Sequence, residues 1–193
     1  SDHHRNYVDR GKILGDLYFN YLADNKAYSV NLSDLQPEIL ENTAGKIQLF
    51  WQFPAGVRLY QTFTVSGEEI EWDIEFFNRS RHTVNIMDMC LTVPIGAIDE
   101  SVQACQNLNR HFSLNGSSSF LYWIPYTGQG DILLMSMKKG TAMEYATWDG
   151  KYYLHATNVV DRANDTWRIP STSKTVAPYQ RYLTGFNFTV AKD

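Results

Sequence analysis

The chain has 193 residues, 44% of them hydrophobic and 14% aromatic, with a formal net charge of -4. This is enough apolar material for one sizeable core, and we expect residues 1–193 to form a single domain excised from a longer multidomain protein. Because the charges are dispersed without any Lys/Arg run, and no apolar stretch approaches the roughly 20 residues of a membrane-spanning helix, nucleic acid and membrane are excluded as partners.

Strand patterns run along most of the chain. The predicted strands are 12–22, 27–32, 46–53, the two halves of 57–78, 83–93, 119–124, 131–137, 142–148, 151–159 and 180–190. Turn residues separate them, for example Asp149-Gly150, which suits a tight type I′ turn. Only two short helices are predicted, one from Ser33 to Gln36 and one opened by Asp99 over 100–108. The stretch 161–177 reads as a long loop.

The clearest element is the hairpin over residues 57–78, VRLYQTFTVSGEEIEWDIEFFN. Two runs of apolar/polar alternation meet at a turn containing Gly67, which is the period-2 pattern of half-buried antiparallel strands. The predicted core face of the second strand consists of Ile70, Trp72, Ile74 and Phe76, and its solvent face of Glu71, Asp73 and Glu75. On the first strand the predicted core face consists of Val57, Leu59, Gln61, Phe63 and Val65, of which Gln61 is the only polar residue.

This many strands without alternating helices predicts antiparallel sheets packed face to face. The expected fold class is therefore all-β, a large antiparallel β-sandwich (supersandwich) with at most one or two short helices. Cys90 lies in an apolar strand and Cys105 follows it, so the sequence leaves open a buried thiol or one disulfide, of which we favour the thiol.

Catalytic patterns are sparse. The histidines lack HxH or HExxH spacing, so no metal site is predicted, and neither a GxSxG elbow nor a glycine-rich phosphate loop occurs. No cofactor is expected. One enzymatic alternative stays open, an aldose epimerase or lyase in which His111 or His155 converges with Glu144 on a sheet face.

Aromatic residues are abundant in the second half of the chain. Exposed rings can stack on the apolar faces of sugars, although cores and domain interfaces use the same residue types. The residues predicted to bind carbohydrate are Trp123, Tyr126, Trp148, Tyr152 and Trp167.

Four segments together resemble a known domain type. They are the hairpin 57–78, RSRHTVNIMDMCLTVPIG, SSSFLYWIPYTGQGDILLMSMKKGTAMEY and the final strand APYQRYLTGFNFTV. They look like the galactose-mutarotase-like β-supersandwich domains that precede an (α/α)6 six-hairpin barrel in bacterial glycoside hydrolases and related uncharacterised proteins.

The resemblance implies a sugar-processing parent that is exported, although the N-terminus SDHHRNYVDRGK carries no signal peptide. Galactose mutarotases use two histidines and a late glutamate, but no glutamate follows Glu144 and neither His111 nor His155 stands in a mutarotase motif. No catalytic residue is therefore transferred. The leading hypothesis is a noncatalytic accessory domain that packs against a glycosidase-type barrel and helps to shape its substrate cleft. Its expected partners are carbohydrate, a C-terminal (α/α)6 catalytic domain, or both. The alternative is a freestanding carbohydrate-binding module that uses surface aromatics.

Overall fold

The computed structural model describes residues 14–96, 108–147, 150–157 and 172–192. Within these ranges the chain forms strands and two short 3-10 turns, at Leu32–Asp34 and Pro54–Gly56. The strands are β1 Leu17–Ala23, β2 Lys26–Asn31, β3 Glu38–Asn42, β4 Lys46–Gln52, β5 Val57–Ser66, β6 Glu69–Asn78, β7 Val84–Thr92, β8 Leu108–Ser113, β9 Phe120–Pro125, β10 Ile132–Met137, β11 Tyr145–Ala146, β12 Lys151–His155, β13 Lys174–Val176 and β14 Arg181–Ala191.

The strands form two antiparallel sheets. The larger is eight-stranded in the order β3-β4-β5-β6-β14-β10-β9-β8. The smaller is six-stranded, with the order β11-β12-β7-β1-β2 and with β13 also paired to β7. The inner faces of both sheets contribute to one hydrophobic core, which confirms the predicted large antiparallel sandwich.

The predicted hairpin is present as β5 and β6, in continuous register from Val57 opposite Asn78 to Ser66 opposite Glu69. Trp72, Ile74 and Phe76 are buried, as the alternation indicates. The exception on the core face, Gln61, is fully hydrogen-bonded. Its Nε2 donates to the Gly15 carbonyl at 2.9 Å, and its Oε1 accepts from Trp72 Nε1 at 3.1 Å. A buried amide is tolerated here because both of its polar atoms have partners.

Asn78 closes the hairpin and ties together chain segments that are distant in sequence. Its Nδ2 donates to the carbonyls of His82 at 2.7 Å, Val176 at 3.0 Å and Ala177 at 3.2 Å. Its Oδ1 accepts from the backbone N–H of Ser80 at 2.9 Å and from its hydroxyl at 2.7 Å. The side chain therefore fixes the turn after β6 and the entry to β14.

Several boundaries differ from the sequence-based prediction. Three strands were not predicted, β3, β8 and β13, which are short or polar. The helix predicted from Ser33 is a single 3-10 turn beginning at Leu32, and its N-cap residue Asn31 makes no side-chain cap hydrogen bond. The second predicted helix and most of the loop 161–177 lie outside the described residues. None of the described helical turns has the length and apolar character needed to cross a membrane.

Cys90 is buried, in agreement with its apolar strand. Cys105 lies outside the described residues, so a reduced Cys105 remains a prediction.

Candidate functional site

The outer face of the eight-stranded sheet carries a network of charged side chains. Glu71, Asp73 and Glu75 point to this face, as the alternation predicts, and each is paired with a cation. Lys138 Nζ lies 3.0 Å from Glu71 Oε2 and 2.6 Å from Asp73 Oδ1. Arg181 pairs with Glu75. Burial disfavours the charged form of Lys138, but its hydrogen bonds to Asp73 and Glu71 outweigh this and raise its pKa.

A depression of about 470 Å³ opens on this face across β4, β5, β6 and β14. We call it the polar depression. Its lining includes Lys46, Tyr60, Thr62, Asp73, Glu75 and Arg181. Carboxylates, a phenol, a hydroxyl and cations together can exchange hydrogen bonds with a ligand rich in hydroxyl groups.

Gly185 holds this network in place by having no side chain. It lies on β14 opposite Asp73. A Cβ at this position would meet the Trp72 carbonyl oxygen at 2.4 Å, Asp73 Oδ1 at 3.1 Å and Lys138 Cδ at 3.2 Å. Since backbone cannot retreat as a flexible side chain can, only glycine allows β6 and β14 to pair here while Lys138 reaches Asp73. Sequence patterning marks Gly185 as a weak strand residue and does not reveal this role.

Aromatic rings line the same outer face farther along the sheet, on β8 and β9. His111 stacks on Tyr122 with ring centroids 4.8 Å apart and planes 12° apart. The Phe120 ring also stacks on Tyr122, with ring centroids 6.2 Å apart. These rings and the polar depression share one surface, so this sheet face offers both apolar and hydrogen-bonding contacts.

Of the aromatic residues predicted to bind carbohydrate, the structure places two in the core. Trp123 is fully buried and its Nε1 donates to the Ile95 carbonyl at 3.0 Å. Tyr152 is also buried, with Phe112 against its ring. Neither ring face is open to a sugar, because both point between the sheets, and the assignment of these two residues as stacking platforms is corrected accordingly.

The other three predicted residues have different outcomes. Tyr126 is exposed just after β9, with 55% of its surface accessible. It remains a predicted carbohydrate contact. Trp148 and Trp167 lie outside the described residues and remain predictions.

The alternative acid/base set does not assemble. His111 lies on the outer face of the eight-stranded sheet, whereas His155 points between the sheets because of an irregularity in pairing between Tyr153 and His155. His155 Nε2 and the Tyr182 hydroxyl share a hydrogen bond of 2.7 Å. The two histidines thus lie on opposite sides of one sheet. Glu144 is exposed in the segment that precedes β11.

His155 is surrounded by groups that favour its neutral form. Burial, and then the charge of Lys174, lower its pKa to about 4. Lys174 Nζ also lies 5.1 Å from the centroid of the Tyr182 ring. The His155 imidazole is therefore neutral, and its hydrogen bond to Tyr182 links the two sheets.

We expect the protein to lose stability as the pH falls from about 6.5 to about 4.5, because unfolded histidine, with a pKa near 6.5, binds a proton that folded His155 rejects. The contribution from this residue is about 2 kcal/mol after allowance for its partial exposure. Urea unfolding of the wild type and of His155→Gln across this range measures it. The Gln variant keeps a hydrogen-bonding partner for Tyr182 and should lose less stability. Equal losses in the two proteins would contradict the assignment.

An apolar groove of about 730 Å³ lies at one end of the sandwich. Its wall includes Ile47, Leu49, Phe63, Val65 and Ile70, all on the inner face of the eight-stranded sheet. Val65, assigned to the core face by the sequence, is 49% exposed. The physical reason is that the six-stranded sheet is the smaller and does not cover the larger one here. The groove therefore presents core-type side chains to the outside.

Further exposed apolar side chains extend this groove. Leu35, Ile39 and Leu40 are exposed on and before β3, the edge strand next to it. The groove and these three residues together are called the apolar groove below. Exposed apolar surface that is rimmed by polar residues is a common feature of interaction sites.

Metal binding finds no support in the described parts of the chain, where no group of three or more His, Cys, Asp or Glu side chains could hold an ion.

Comparison with known proteins identifies the architecture. No protein-family model matches the chain, and no curated protein matches it in sequence. Among solved structures, a polysaccharide lyase superposes with a TM-score of 0.66 at 13% identity, over 93% of this chain and 26% of the lyase chain. This chain therefore spans about a quarter of that protein.

Two smaller proteins are also similar. A galactose mutarotase related enzyme from Lactobacillus acidophilus has a TM-score of 0.52 at 10% identity, over 90% of this chain and 78% of its own. A galactose mutarotase-like protein from Clostridium acetobutylicum has a TM-score of 0.52 at 8% identity, over 92% and 79%. The chain thus has the galactose-mutarotase-like fold.

Proposed function

We propose that this chain is a noncatalytic accessory domain of an exported bacterial carbohydrate-active enzyme. In this proposal the domain packs against a catalytic domain of the same polypeptide, of the (α/α)6 barrel type, and helps to shape the substrate cleft. The observation that carries the proposal is the apolar groove, an uncovered part of the sandwich core that calls for a second apolar surface.

The positions of the first and last described residues support an occupant from the same polypeptide. Leu14, the first described residue, lines the groove. Lys192, the last, pairs with Glu68 in the β5–β6 turn at 2.6 Å, next to the groove residues Val65 and Ile70. Residues 14 and 192 thus both lie beside the groove, and a domain joined to the chain next to either of them could cover the groove at little entropic cost.

The fold comparison supports the carbohydrate context. The similar polysaccharide lyase is about four times as long as the part that this chain matches, so its matching part lies within a larger enzyme. The polar depression supports a role near a hydroxyl-rich substrate. The noncatalytic role is supported by the separation of His111 and His155, which lie on opposite sides of the eight-stranded sheet and so do not form the pair that the enzymatic alternative needs.

The test is association in trans between the 193-residue chain and the remainder of its natural polypeptide, measured by calorimetry. The double variant Ile39→Lys/Ile47→Lys should weaken binding by at least about tenfold, because two charges would be buried in an apolar interface. Tyr179→Lys is the matched control, since Tyr179 is 58% exposed and outside the groove. Equal binding by the double variant, or a gene without a second domain, would contradict the proposal.

A second candidate function is a freestanding carbohydrate-binding module. Exposed Tyr126 and the polar depression favour it. This function, in place of the accessory role, would be supported if the 193-residue chain did not associate with the remainder of its polypeptide but was retained on polysaccharide. The Tyr126→Ala variant should then not be retained.

A further inference from the structure

A row of arginine and aromatic side chains lies on the outer face of the eight-stranded sheet, near the start of β5. Arg58 stands between Val57 and Leu59, which are buried, so its own side chain points away from the core. Arg58 on β5 and Arg181 on β14 both lie opposite Phe77, which is on β6 between them. The arginine patch is this row of three residues together with its outer-face neighbours Phe50, Tyr60 and Leu183.

Each arginine of the row is held against an aromatic ring. The guanidinium carbon of Arg58 lies 5.6 Å from the centroid of the Phe50 ring, and that of Arg181 lies 4.6 Å from the centroid of the Phe77 ring. Phe50 in turn packs against Tyr60, with ring centroids 5.0 Å apart. Because the ring attracts the cation, the guanidinium is positioned before a ligand arrives, and less conformational entropy is lost on binding.

Arg181 shows how a carboxylate is bound in this patch. It pairs with Glu75, which is on the same face of β6 as the ring of Phe77. Arg58 is also placed over a ring, but no acidic side chain of the described residues forms an ion pair with it. Glu38, opposite Phe50 on β3, does not supply this partner. The planar donors of Arg58 can therefore accept a carboxylate from another molecule.

The turn that follows β6 adds positive charge beside the row. Arg79 and Arg81 are both exposed there. The N–H of Arg79 donates to the carbonyl of Gly56 at 2.9 Å, which places this turn next to the start of β5. Since the whole chain has a formal net charge of -4, this concentration of arginines is a local feature that favours an anionic partner.

The apolar part of the patch indicates a peptide rather than an acidic sugar. Leu183 is 57% exposed. The Cα atoms of Arg58 and Leu183 are separated by two strands and two residues, roughly 12 Å, which neighbouring side chains of one peptide can span. A sugar acid surrounds its carboxylate with hydroxyl groups, to which leucine offers no hydrogen bond. Arginine and aromatic residues are, in addition, enriched at protein interfaces.

We propose that the arginine patch is a docking site for a protein segment in which a glutamate or aspartate stands between apolar side chains. The guanidinium of Arg58 binds the carboxylate, and an apolar neighbour packs on Leu183. The patch adjoins the polar depression, of which Tyr60, Arg181 and Leu183 are also lining residues. None of the patch residues lines the apolar groove, so the inference does not depend on the accessory role.

The test uses two blocked tripeptides that differ only in the carboxylate, acetyl-Leu-Glu-Leu-amide and acetyl-Leu-Gln-Leu-amide. Each is titrated at millimolar concentrations into the ¹⁵N-labelled 193-residue chain. We expect the Glu peptide to shift the side-chain Nε–H signal of Arg58 and the amide signals of Phe50 and Phe77. The Gln peptide should bind about tenfold more weakly, because it offers no charge to the guanidinium. Glucuronate, which carries the same charge among hydroxyl groups, should also bind more weakly than the Glu peptide.

Variants of Arg58 assign the contact. Arg58→Gln should weaken binding of the Glu peptide by about tenfold and leave binding of the Gln peptide unchanged. Arg58→Lys keeps the charge but not the planar fork of donors, so its affinity for the Glu peptide should lie between those of the wild type and Arg58→Gln. Lys26→Gln is the matched control. It removes one positive charge from an exposed position on β2, in the other sheet, and should leave the affinity unchanged.

Melting temperatures separate docking from a structural role of Arg58. If the side chain served only to cover Phe50, Arg58→Gln would lower the melting temperature, and the two peptides would bind the wild type equally. The proposal is overturned by equal binding of the two peptides or by absence of binding. It is also overturned by unchanged affinity in Arg58→Gln, by an equal loss in Lys26→Gln, or by glucuronate binding as tightly as the Glu peptide.

Discussion

Replacement of Asn78 by aspartate should destabilise the fold by about 3–5 kcal/mol at neutral pH, the cost of an uncompensated buried charge. Asparagine and aspartate side chains have nearly the same shape, so the change in stability reports the replacement of the amide NH2 group by a carboxylate oxygen. In the wild type, Nδ2 donates to the carbonyls of His82, Val176 and Ala177. In the variant, a carboxylate oxygen would face these three acceptors and no donor would replace the lost one.

The loss of stability caused by Asn78→Asp should become smaller as the pH is lowered. Burial against carbonyl oxygens raises the pKa of the new carboxyl in the folded state above its unfolded value of about 3.9. The protonated form can donate to one carbonyl, so the penalty is smallest at low pH. It grows as the pH rises through the folded-state pKa. The stability difference between Asn78→Asp and the wild type should therefore narrow when the pH is lowered from about 7 to about 4.5.

Urea unfolding of both proteins at each pH measures this difference, and contributions common to both, such as that of His155, cancel. Asn78→Ala should lose about 2–3 kcal/mol at every pH, because it leaves buried groups unpaired without adding a charge. The matched control is Asn42→Asp, on the exposed side of edge strand β3, which should change stability by less than about 0.5 kcal/mol. A pH-independent loss in Asn78→Asp would contradict this account.

Trp72→Phe should cost about 3 kcal/mol, considerably more than the same change at Trp51. Trp72 is fully buried, stacks on Phe63 with a centroid distance of 5.4 Å, and donates from Nε1 to Gln61 Oε1. Its replacement would leave a cavity and also an unpaired acceptor on Gln61. Both effects act in the centre of the core, where neighbouring side chains cannot easily move into the space.

Trp51 provides the comparison because its buried Nε1 has no hydrogen-bond partner among the described residues. Trp51→Phe removes the same atoms but also removes an unsatisfied donor, so the two effects offset each other and the net loss should be about 1 kcal/mol. Thermal and urea unfolding of the two variants measures the contrast. Equal losses would show that the bond between Trp72 and Gln61 contributes little.

The hairpin could be predicted because its information is local. Each side chain of β6 alternates between a buried and a solvent face, and the polar exception Gln61 is visible in the sequence. The partner of Gln61 is not visible, since the Gly15 carbonyl lies 46 positions away. The sequence also does not show where along β5 the core ends. Val65 has the parity of a core residue, but its burial depends on how far the second sheet extends.

The sequence also does not show which aromatic residues point into the core. In β9, FLYWIP, both faces are apolar, so alternation does not reveal whether Trp123 or Tyr122 points inward. Pairing with β10 and the covering sheet decides it. Likewise, the irregular pairing of β12 turns His155 toward Tyr182. No pattern of residues in KYYLH indicates that change.

The sequence by itself determined the strand content, the hairpin and the two-layer class, because period-2 alternation and turn residues act over a few positions. Only the tertiary structure decided which surfaces could be functional. The polar depression and the apolar groove each combine residues from three or more elements. Their properties follow from the register between strands and from the unequal size of the two sheets, which are properties of the assembled sandwich rather than of any one segment.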